Sequence, residues 1–337
     1  MLLKIIMKMD GFKSLIITIV LLLTISCTRD AKEGTAIVTQ YGYNNCIELK
    51  NNDVRVVLEP NMGGRIIVYE LNGKNVLHRN PEQDGIIYEP GKRIEPAGGR
   101  FDIGPEFIIP PRPALFFGKW EGKITGKRQA QLISQRDTST GVQLIRTFKL
   151  DDNGSKLTYT QIIRNVDSQT KHYCSWSRTF AKGGGISLTP LNPESRFPKG
   201  YLIYGPGRVM DFMPAQEPNF RVRNGILEII GPPERPKFVM DVSEGWLAYL
   251  TRDDQLFIKK FPVYPDRVYG EMSAANVSVW YFREEMCEIE PMGPMETIKP
   301  GEEATFTETW YLFDYKYPED KFPDQEEIKR IIAKLQN

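Results

Sequence analysis

The residues with the best spacing for chemistry lie between positions 277 and 313. Glu288 and Glu290 are two apart in Met286–Pro291, which is predicted to be a strand, so both carboxylates point to one face. Two carboxylates on one face can bind hydroxyl groups or exchange protons with a ligand. The alternative is a solvated strand face, because most glutamates lie at protein surfaces.

The residues that follow this pair predict a turn and a returning strand. Pro300 and Gly301 favour a turn, and residues 304–313 alternate between two faces. One face of this strand carries Phe306, Trp310 and Leu312, and the other carries Thr305, Thr307 and Thr309. A carboxylate beside a proline-stiffened loop and an aromatic strand is a candidate sugar-binding group.

A second group of charges follows a double glycine. Arg100, Asp102 and Glu106 come directly after Gly98 and Gly99, and glycine lets a backbone approach a ligand closely. We expect residues 84–113 to form a loop over a concave face. The alternative is a turn-rich connection with solvated charges.

A tryptophan and an arginine form the third candidate pair. Trp176 and Arg178 share a face if their segment is a strand. An indole next to a guanidinium suits stacking on a sugar ring combined with hydrogen bonds to its oxygens or to a carboxylate. The alternative is a packed tryptophan with an arginine that reaches out to solvent. Glu271 supplies one more carboxylate, directly after Tyr269 and Gly270.

Several function classes lack their residues in this sequence. The chain has only two histidines, His78 and His172, and no Cys-x-x-Cys pair. No Ser-His-Asp, phosphate-loop or dinucleotide-binding pattern occurs, so we predict neither a metal nor a cofactor. A formal net charge of +1 without a basic run gives no reason to expect a nucleic-acid partner.

The elements that must position these residues are mostly strands. Asn72-Gly73 predicts a hairpin turn, and Asp151-Asp152-Asn153-Gly154 predicts a second hairpin between residues 143–150 and 156–165. Many short strands divided by glycine and proline predict an all-β fold, a large antiparallel β-sandwich. One short C-terminal helix is expected, with Asp324 as its N-cap and an apolar stripe through Ile328 and Ile332.

The N-terminus carries a targeting signal. Lysines precede a short apolar run, and residues 24–27 end in Ser26-Cys27, which resembles a bacterial lipobox with Cys27 as the lipidated residue. The run is too short for a comfortable membrane span. We therefore predict a lipoprotein signal peptide over residues 1–27, an anchor to the outer membrane through lipid, and a polar tether over residues 28–36. A plain secretory signal or a short N-terminal anchor is the alternative.

The remainder, residues 37–337, is expected to form one domain. Its three cysteines, Cys46, Cys174 and Cys287, would allow one disulfide in an exported protein, and the sequence does not pair them.

Four blocks of the chain, in order, resemble the galactose-mutarotase-like superfamily, nearest to a bacterial branch that is known only as a domain of unknown function. The blocks are Pro60-Asn61-Met62-Gly63-Gly64-Arg65-Ile66, Gly98-Gly99-Arg100 with Gly104-Pro105-Glu106, Asn165 leading to Trp176-Ser177-Arg178-Thr179, and Glu288-Ile289-Glu290-Pro291 with Pro300-Gly301. The resemblance implies a large sandwich, or supersandwich, that binds sugars on a concave face. It covers nearly all of the predicted mature chain.

The resemblance also implies roles for single residues. In mutarotases of this superfamily a glutamate removes the anomeric hydroxyl proton and a histidine protonates the ring oxygen. Glu290 matches the glutamate, whereas Ala97 stands at one histidine position and Trp176 or Arg178 at the other. Arginine is a poor proton donor. The candidates for a replacement acid are Glu106, Glu271 and His172.

These observations lead to one main prediction and two alternatives. The main prediction is a carbohydrate-binding site that uses Arg100, Trp176, Arg178 and Glu288 beside Glu290, with a preference for acidic sugars because arginine grips carboxylates in bidentate fashion. The first alternative is an aldose 1-epimerase with Glu290 as its base. The second is a structural subunit of a glycan-uptake system with an empty cleft.

Overall fold

The computed structural model of the protein describes residues 32–335 except 206 and 208. The predicted signal peptide with Cys27, and the first residues of the predicted tether, lie outside the described residues. The first strand begins at Thr35, within the range predicted for the tether.

The described residues form 23 strands and two α-helices, because runs of alternating apolar and polar residues repeat along the chain. In chain order these elements are β1 Thr35–Gln40, β2 Tyr43–Lys50, β3 Val54–Glu59, β4 Arg65–Leu71, β5 Lys74–Asn75, β6 Gly99–Gly104, α1 Pro113–Phe116, β7 Glu121–Gly126, β8 Gln129–Ile133, β9 Val142–Leu150, β10 Leu157–Asn165, β11 Lys171–Lys182, β12 Ile186–Pro190, β13 Tyr201–Tyr204, β14 Met210–Asp211, β15 Phe220–Arg223, β16 Ile226–Ile229, β17 Lys237–Met240, β18 Trp246–Thr251, β19 Gln255–Lys260, β20 Val277–Phe282, β21 Met286–Pro291, β22 Glu296–Ile298, β23 Glu303–Asp314 and α2 Gln325–Ala333.

These strands form two antiparallel sheets. The 13-stranded sheet has the order β1-β2-β3-β4-β6-β11-β21-β20-β17-β13-β14, with β5 paired to β4 and β22 paired to β11. The 10-stranded sheet has the order β15-β16-β12-β18-β19-β23-β10-β9-β8-β7. The predicted all-β sandwich is confirmed.

The main core lies between the two sheets. On the larger sheet Phe101, Val279 and Ile289 point into this core, and on the smaller sheet Phe257 and Trp310 do so. Because side chains alternate along a strand, the neighbours of these residues on the larger sheet point to its outer face.

The predicted hairpins and the C-terminal helix are present. Asn72 and Gly73 both have positive φ between β4 and β5, as a type I′ turn requires. β9 and β10 pair along their whole length. The side chain of Asp324 accepts a hydrogen bond from the Glu327 amide and so caps α2.

The expectation of a loop over residues 84–113 is wrong in one part. Residues 99–104 form β6, a central strand that pairs with both β4 and β11. The glycines in this stretch do not mark a flexible connection. A Cβ at Gly99 would lie 2.7 Å from the Trp310 ring, so the glycine allows the two sheets to approach closely.

The three described cysteines, Cys46, Cys174 and Cys287, are buried free thiols. Within the described residues, no helix is long and apolar enough to cross a membrane.

Candidate functional site

A row of charged side chains crosses the outer face of the larger sheet. The strand register places Glu59 opposite Arg65 and Arg100 opposite Arg178, and the pairing of Ile66 with Gly99 sets the two pairs side by side. Neighbouring β21 continues the row with Glu290. Five adjacent strands therefore present three cations in sequence with a carboxylate at each end.

Arg178 is the centre of this row. Its Nε lies 2.8 Å from Glu288 Oε1 and 3.4 Å from Glu290 Oε1. Its Nη1 lies 3.7 Å from Asp102 Oδ2 and 3.9 Å from Glu106 Oε1. The side chain retains 16% of its exposure, so one guanidinium connects four carboxylates and still reaches solvent.

The two glutamates of β21 are fully buried but differ in their partners. Glu290 Oε1 accepts a hydrogen bond of 2.9 Å from Trp176 Nε1, and its Oε2 lies 2.8 Å from Lys237 Nζ. Glu288 has Arg178 as its hydrogen-bond donor, and its Oε2 has no partner among the described residues.

This difference in partners shifts the pKa values of the two carboxyl groups in opposite directions. Burial, with the neighbouring charge of Glu290, raises the pKa of Glu288 in spite of Arg178. Burial would also raise the pKa of Glu290, but Lys237 and Arg178 outweigh it and lower that pKa. The sheet thus places an ionised carboxylate beside one that takes up a proton readily, which is the division between a base and an acid.

Arg100 is a buried cation that forms no salt bridge with a carboxylate among the described residues. It is 1% exposed, and its Nη1 donates to the Phe116 carbonyl at 2.7 Å. The Phe116 ring lies 4.7 Å from the Arg100 guanidinium and 5.6 Å from that of Arg178, and the Phe117 ring lies 5.3 Å from Arg100. Burial lowers the pKa of Arg100 well below its ordinary value, so its positive charge is energetically costly as it stands.

Several buried polar atoms on this face have no hydrogen-bond partner among the described residues. Besides Glu288 Oε2 they are Arg100 Nε and Nη2, the Ser278 hydroxyl and the Tyr204 hydroxyl. Ser278 is directly opposite Glu290 on β20, and Tyr204 is directly opposite Lys237 on β13. Buried polar groups normally find partners, so this set is suited to the hydroxyl and carboxylate groups of a ligand.

Connecting segments cover the cluster from two sides. Arg112 makes a bidentate pair with Asp102, at 2.6 and 2.8 Å, and so holds α1, with its Phe116 and the following Phe117, over the sheet. On the other side Glu271 accepts the backbone amide of Glu106 at 3.0 Å. These segments cover most of the charged cluster: the Glu290 side chain is fully buried, and Arg178 keeps part of its exposure.

The structure brings most of the predicted site residues together. Arg100, Trp176, Arg178, Glu288 and Glu290 form the cluster, and Glu106 and Glu271 lie at its rim.

His172 lies elsewhere. It is exposed beside Thr297, near the start of β11, and six residues of strand separate it from Arg178, about 20 Å. At that distance it cannot serve as the acid for a sugar held beside Glu290.

The sequence analysis missed Lys237, Arg112, Tyr204 and Ser278. Tyr204 and Ser278 follow the alternation of their strands, so the pattern of β13 and β20 carried a signal for them. Lys237 begins a four-residue strand, which is too short to show alternation by itself. Arg112 lies in a proline-rich segment whose path over the sheet depends on tertiary structure.

A cavity lies on the smaller, 10-stranded sheet. It has a volume of about 1000 Å³ and lies beside α2, with Trp246, Phe261 and Ile332 in its lining. Its one carboxylate, Glu244, accepts the Trp246 indole N–H at 2.7 Å. The cavity contains none of the paired carboxylates. The cavity with the large volume and the cluster with the reactive groups are therefore two different places. Paired charges with unpartnered polar atoms indicate a functional site more specifically than volume does.

Solved structures with the same fold include galactose mutarotase-like proteins. One, from Lactobacillus casei ATCC 334, superposes with a TM-score of 0.56 over 80% of this chain and 100% of that chain, at 11% identity. Another, from Clostridium acetobutylicum, gives 0.55 over 85% and 100%, also at 11% identity. A TPR-domain containing protein from Parabacteroides distasonis ATCC 8503 gives 0.56 at 16% identity, over 84% of this chain and 50% of that chain.

Comparison at the level of sequence gives no match. No family model matches the chain, and no curated protein matches it. At the identities above, the likeness to solved structures concerns the fold.

Proposed function

We propose that this chain, which has the galactose mutarotase-like fold, binds carbohydrate at the charged cluster on the outer face of its larger sheet, and that it prefers sugars with a carboxylate. The observation that carries the proposal is the unpaired charge of Arg100 beside Arg178. A buried guanidinium without a counter-ion is unfavourable, and a ligand carboxylate would supply that counter-ion in bidentate form.

The remaining polar atoms suit the neutral part of such a ligand. Glu288, Ser278 and Tyr204 offer hydrogen-bond sites for ring hydroxyl groups. Phe116 covers the entrance to the two arginines, so a ligand that reaches them displaces this side chain.

Isothermal titration tests the proposal. Glucuronic and galacturonic acids, and oligosaccharides of them, are titrated against the matched neutral sugars. We expect the acidic forms to bind at least about tenfold more tightly, because a bidentate arginine contact is formed only with them. Arg178→Ala removes this binding, whereas Arg164→Ala, which changes an exposed arginine paired with Glu303 on the other sheet, leaves it intact. No heat with any sugar, or unchanged binding in Arg178→Ala, contradicts the proposal.

A second function, an aldose 1-epimerase with Glu290 as its base, is favoured by the opposite pKa shifts of the two glutamates. In this reaction Glu290 takes the proton of the anomeric hydroxyl, and an acid gives a proton to the ring oxygen. The C1–O5 bond breaks, the open aldehyde rotates, and the ring closes with the proton transfers reversed. Glu288 has the protonation that the acid needs, and Glu106 and Glu271 are the further candidates near the cluster.

Exchange between α and β anomers distinguishes catalysis from binding. Magnetisation-transfer NMR on a reducing uronic acid is compared for the wild type, Glu290→Gln and Glu288→Gln. A catalyst shows exchange above the uncatalysed rate that each substitution removes. Exchange at the uncatalysed rate in all three proteins leaves carbohydrate binding alone.

The proposal includes export as a lipoprotein attached to the outer membrane through Cys27. The sequence pattern of residues 1–27 supports it. Metabolic labelling with a fatty acid, followed by fractionation, is the test. Label that is present in the wild type and absent in Cys27→Ala supports the anchor, and label in neither protein contradicts it.

A further inference from the structure

A second set of charges lies inside the sandwich, on strands of the smaller sheet that face the inner side of the larger sheet. Lys259 of β19 and Glu308 of β23 are both fully buried, with Lys259 Nζ 3.2 Å from Glu308 Oε2. Glu308 also accepts hydrogen bonds from Tyr159, Gln161 and Trp310, at 2.7, 3.3 and 3.4 Å. An ion pair between two sheets carries a large desolvation cost, and apolar residues of similar volume often serve stability as well or better.

The other contacts of Lys259 reach the strands that carry the outer cluster. Its ammonium donates to Ser177 Oγ at 3.2 Å and to Thr179 Oγ1 at 2.9 Å, and these residues flank Arg178. It also donates to the Ile289 carbonyl at 3.1 Å, which lies between Glu288 and Glu290 in the chain. One side chain thus binds β11 and β21 at the positions where they present the central arginine and the two carboxylates.

Arg146 of β9 makes similar contacts to the next two strands of the larger sheet, β6 and β4. It is fully buried, and its Nη1 donates to the Gly64 carbonyl at 2.8 Å and to the Gly99 carbonyl at 3.0 Å. Those glycines directly precede Arg65 and Arg100. The two inner cations therefore contact the backbone or flanking hydroxyls of all four strands that carry Arg65, Arg100, Arg178 and the two glutamates.

We infer that Lys259 is a positioning residue for the outer cluster: from inside the core it holds β11 and β21 so that Arg178, Glu288 and Glu290 keep their mutual distances. The inference rests on the proposed function in so far as those three residues bind the ligand. The contacts themselves explain why an ion pair is kept at this depth. An apolar pair would serve stability as well, whereas a multidentate donor at this point bonds to both strands at once.

Few charged groups surround Lys259 and Glu288, so the effect of Lys259 on the position of the glutamates can be measured separately from the effect of its charge. Lys259 faces Glu308, Glu290 and Arg146, and Glu288 faces Arg178, Glu290 and Lys237. The double variant Lys259→Met/Glu308→Gln removes one positive and one negative charge together. Its net charge is unchanged, and a changed titration of Glu288 or Glu290 then reports mainly on position.

The experiment measures the side-chain carboxyl ¹³C shifts of Glu288 and Glu290 against pH, without sugar, in the wild type and the double variant. We expect the midpoint of at least one glutamate to move by about half a pH unit or more, because its distance to Arg178 changes. Thr251→Val is the control, since this buried threonine hydroxyl has no partner and lies outside the network. We expect the titration curves of this control variant to match those of the wild type.

If the double variant does not fold, Thr179→Val gives the answer, because it keeps the ion pair and removes one contact to β11. A shift in Thr179→Val, smaller than that expected for the double variant, supports the inference. Curves that coincide with the wild type in every folded variant overturn it. Because no sugar is present, a wild type that binds no sugar removes the proposed function and leaves this result unaffected.

Discussion

The inner cluster, formed by Lys259 and Glu308, lies against the inner face of the larger sheet, and the outer cluster lies on its outer face. The two clusters differ in how fully their hydrogen bonds are satisfied. In the inner cluster, Lys259 has four partners and Glu308 has four donors, and neither is exposed to solvent. The neighbouring Arg146 is outside this pair, and its Nε and Nη2 have no partner among the described residues. In the outer cluster, Arg178 and Lys237 retain 16 and 17% of their side-chain exposure, and Arg100 and Glu288 have polar atoms without partners. A saturated buried ion pair fixes structure, whereas an unsaturated one beside solvent can be completed by a ligand.

The largest expected effect comes from breaking the saturated cluster on one side only. Glu308→Leu leaves the Lys259 cation buried without its counter-ion, and we expect a loss of about 3–5 kcal/mol in the free energy of unfolding. Urea denaturation measures this loss. Lys259→Met/Glu308→Gln, which removes both charges of the pair, should recover most of the stability. A loss below about 1 kcal/mol in Glu308→Leu means that the two clusters do not differ in this way.

Two arginines of the unsaturated cluster should respond with opposite signs. Arg178→Met leaves buried carboxylates with less positive charge, so we expect a loss of about 2–3 kcal/mol. Arg100→Met removes a cation that has no carboxylate partner, so the unfolding free energy stays the same or rises by up to about 1 kcal/mol. Thermal denaturation of both variants provides the comparison. Equal destabilisation by both substitutions contradicts the assignment of Arg100 as an uncompensated charge.

The pH dependence of stability should carry the signature of Lys259. Burial lowers its pKa to about 8, although Glu308 opposes the shift. Between about pH 8 and pH 10.5, the unfolded chain therefore holds a proton that the folded chain has lost, and stability rises with pH. The unfolding free energy of the wild type minus that of Lys259→Met should increase across this window, on the order of 1–3 kcal/mol. Parallel pH profiles for the two proteins contradict the prediction.

The smallest effect is expected at a residue outside both clusters. His172→Gln alters an exposed side chain that contacts Thr297. We expect the unfolding free energy to change by less than about 0.5 kcal/mol, and sugar affinity to be unchanged. A fall in affinity would show that the ligand site extends along β11 beyond the outer cluster.

Local patterns were sufficient to predict much of the fold and the centre of the site. Two turn sequences gave the hairpins, and alternation placed Glu288 with Glu290, and Trp176 with Arg178, on shared faces. Those face assignments depend only on the two-residue period of a strand. Alternation alone could not predict the register between strands that are distant in the sequence. That register brings Arg178 opposite both Arg100 and Glu290.

The inner cluster was missed although the sequence contained a sign of it. Glu308 has the same parity as Phe306 and Trp310 in β23, and Lys259 has the same parity as Phe257 in β19. Each charge therefore stands where the strand pattern requires a core residue. Two charges of opposite sign at core positions predict a buried ion pair only if their strands are neighbours. That β19 and β23 are neighbours is known only from the tertiary structure.

One aromatic ring covers both guanidinium groups of the outer cluster, since Phe116 lies over Arg100 and Arg178 at 4.7 and 5.6 Å. Arg178 already reaches solvent and has four carboxylates around it, whereas Arg100 is buried beneath Phe116 and Phe117. A displacement of these rings would therefore expose the one cation of the two that has no salt bridge among the described residues. The access of an anion to Arg100 depends on uncharged side chains, while its attraction depends on the charge beneath them.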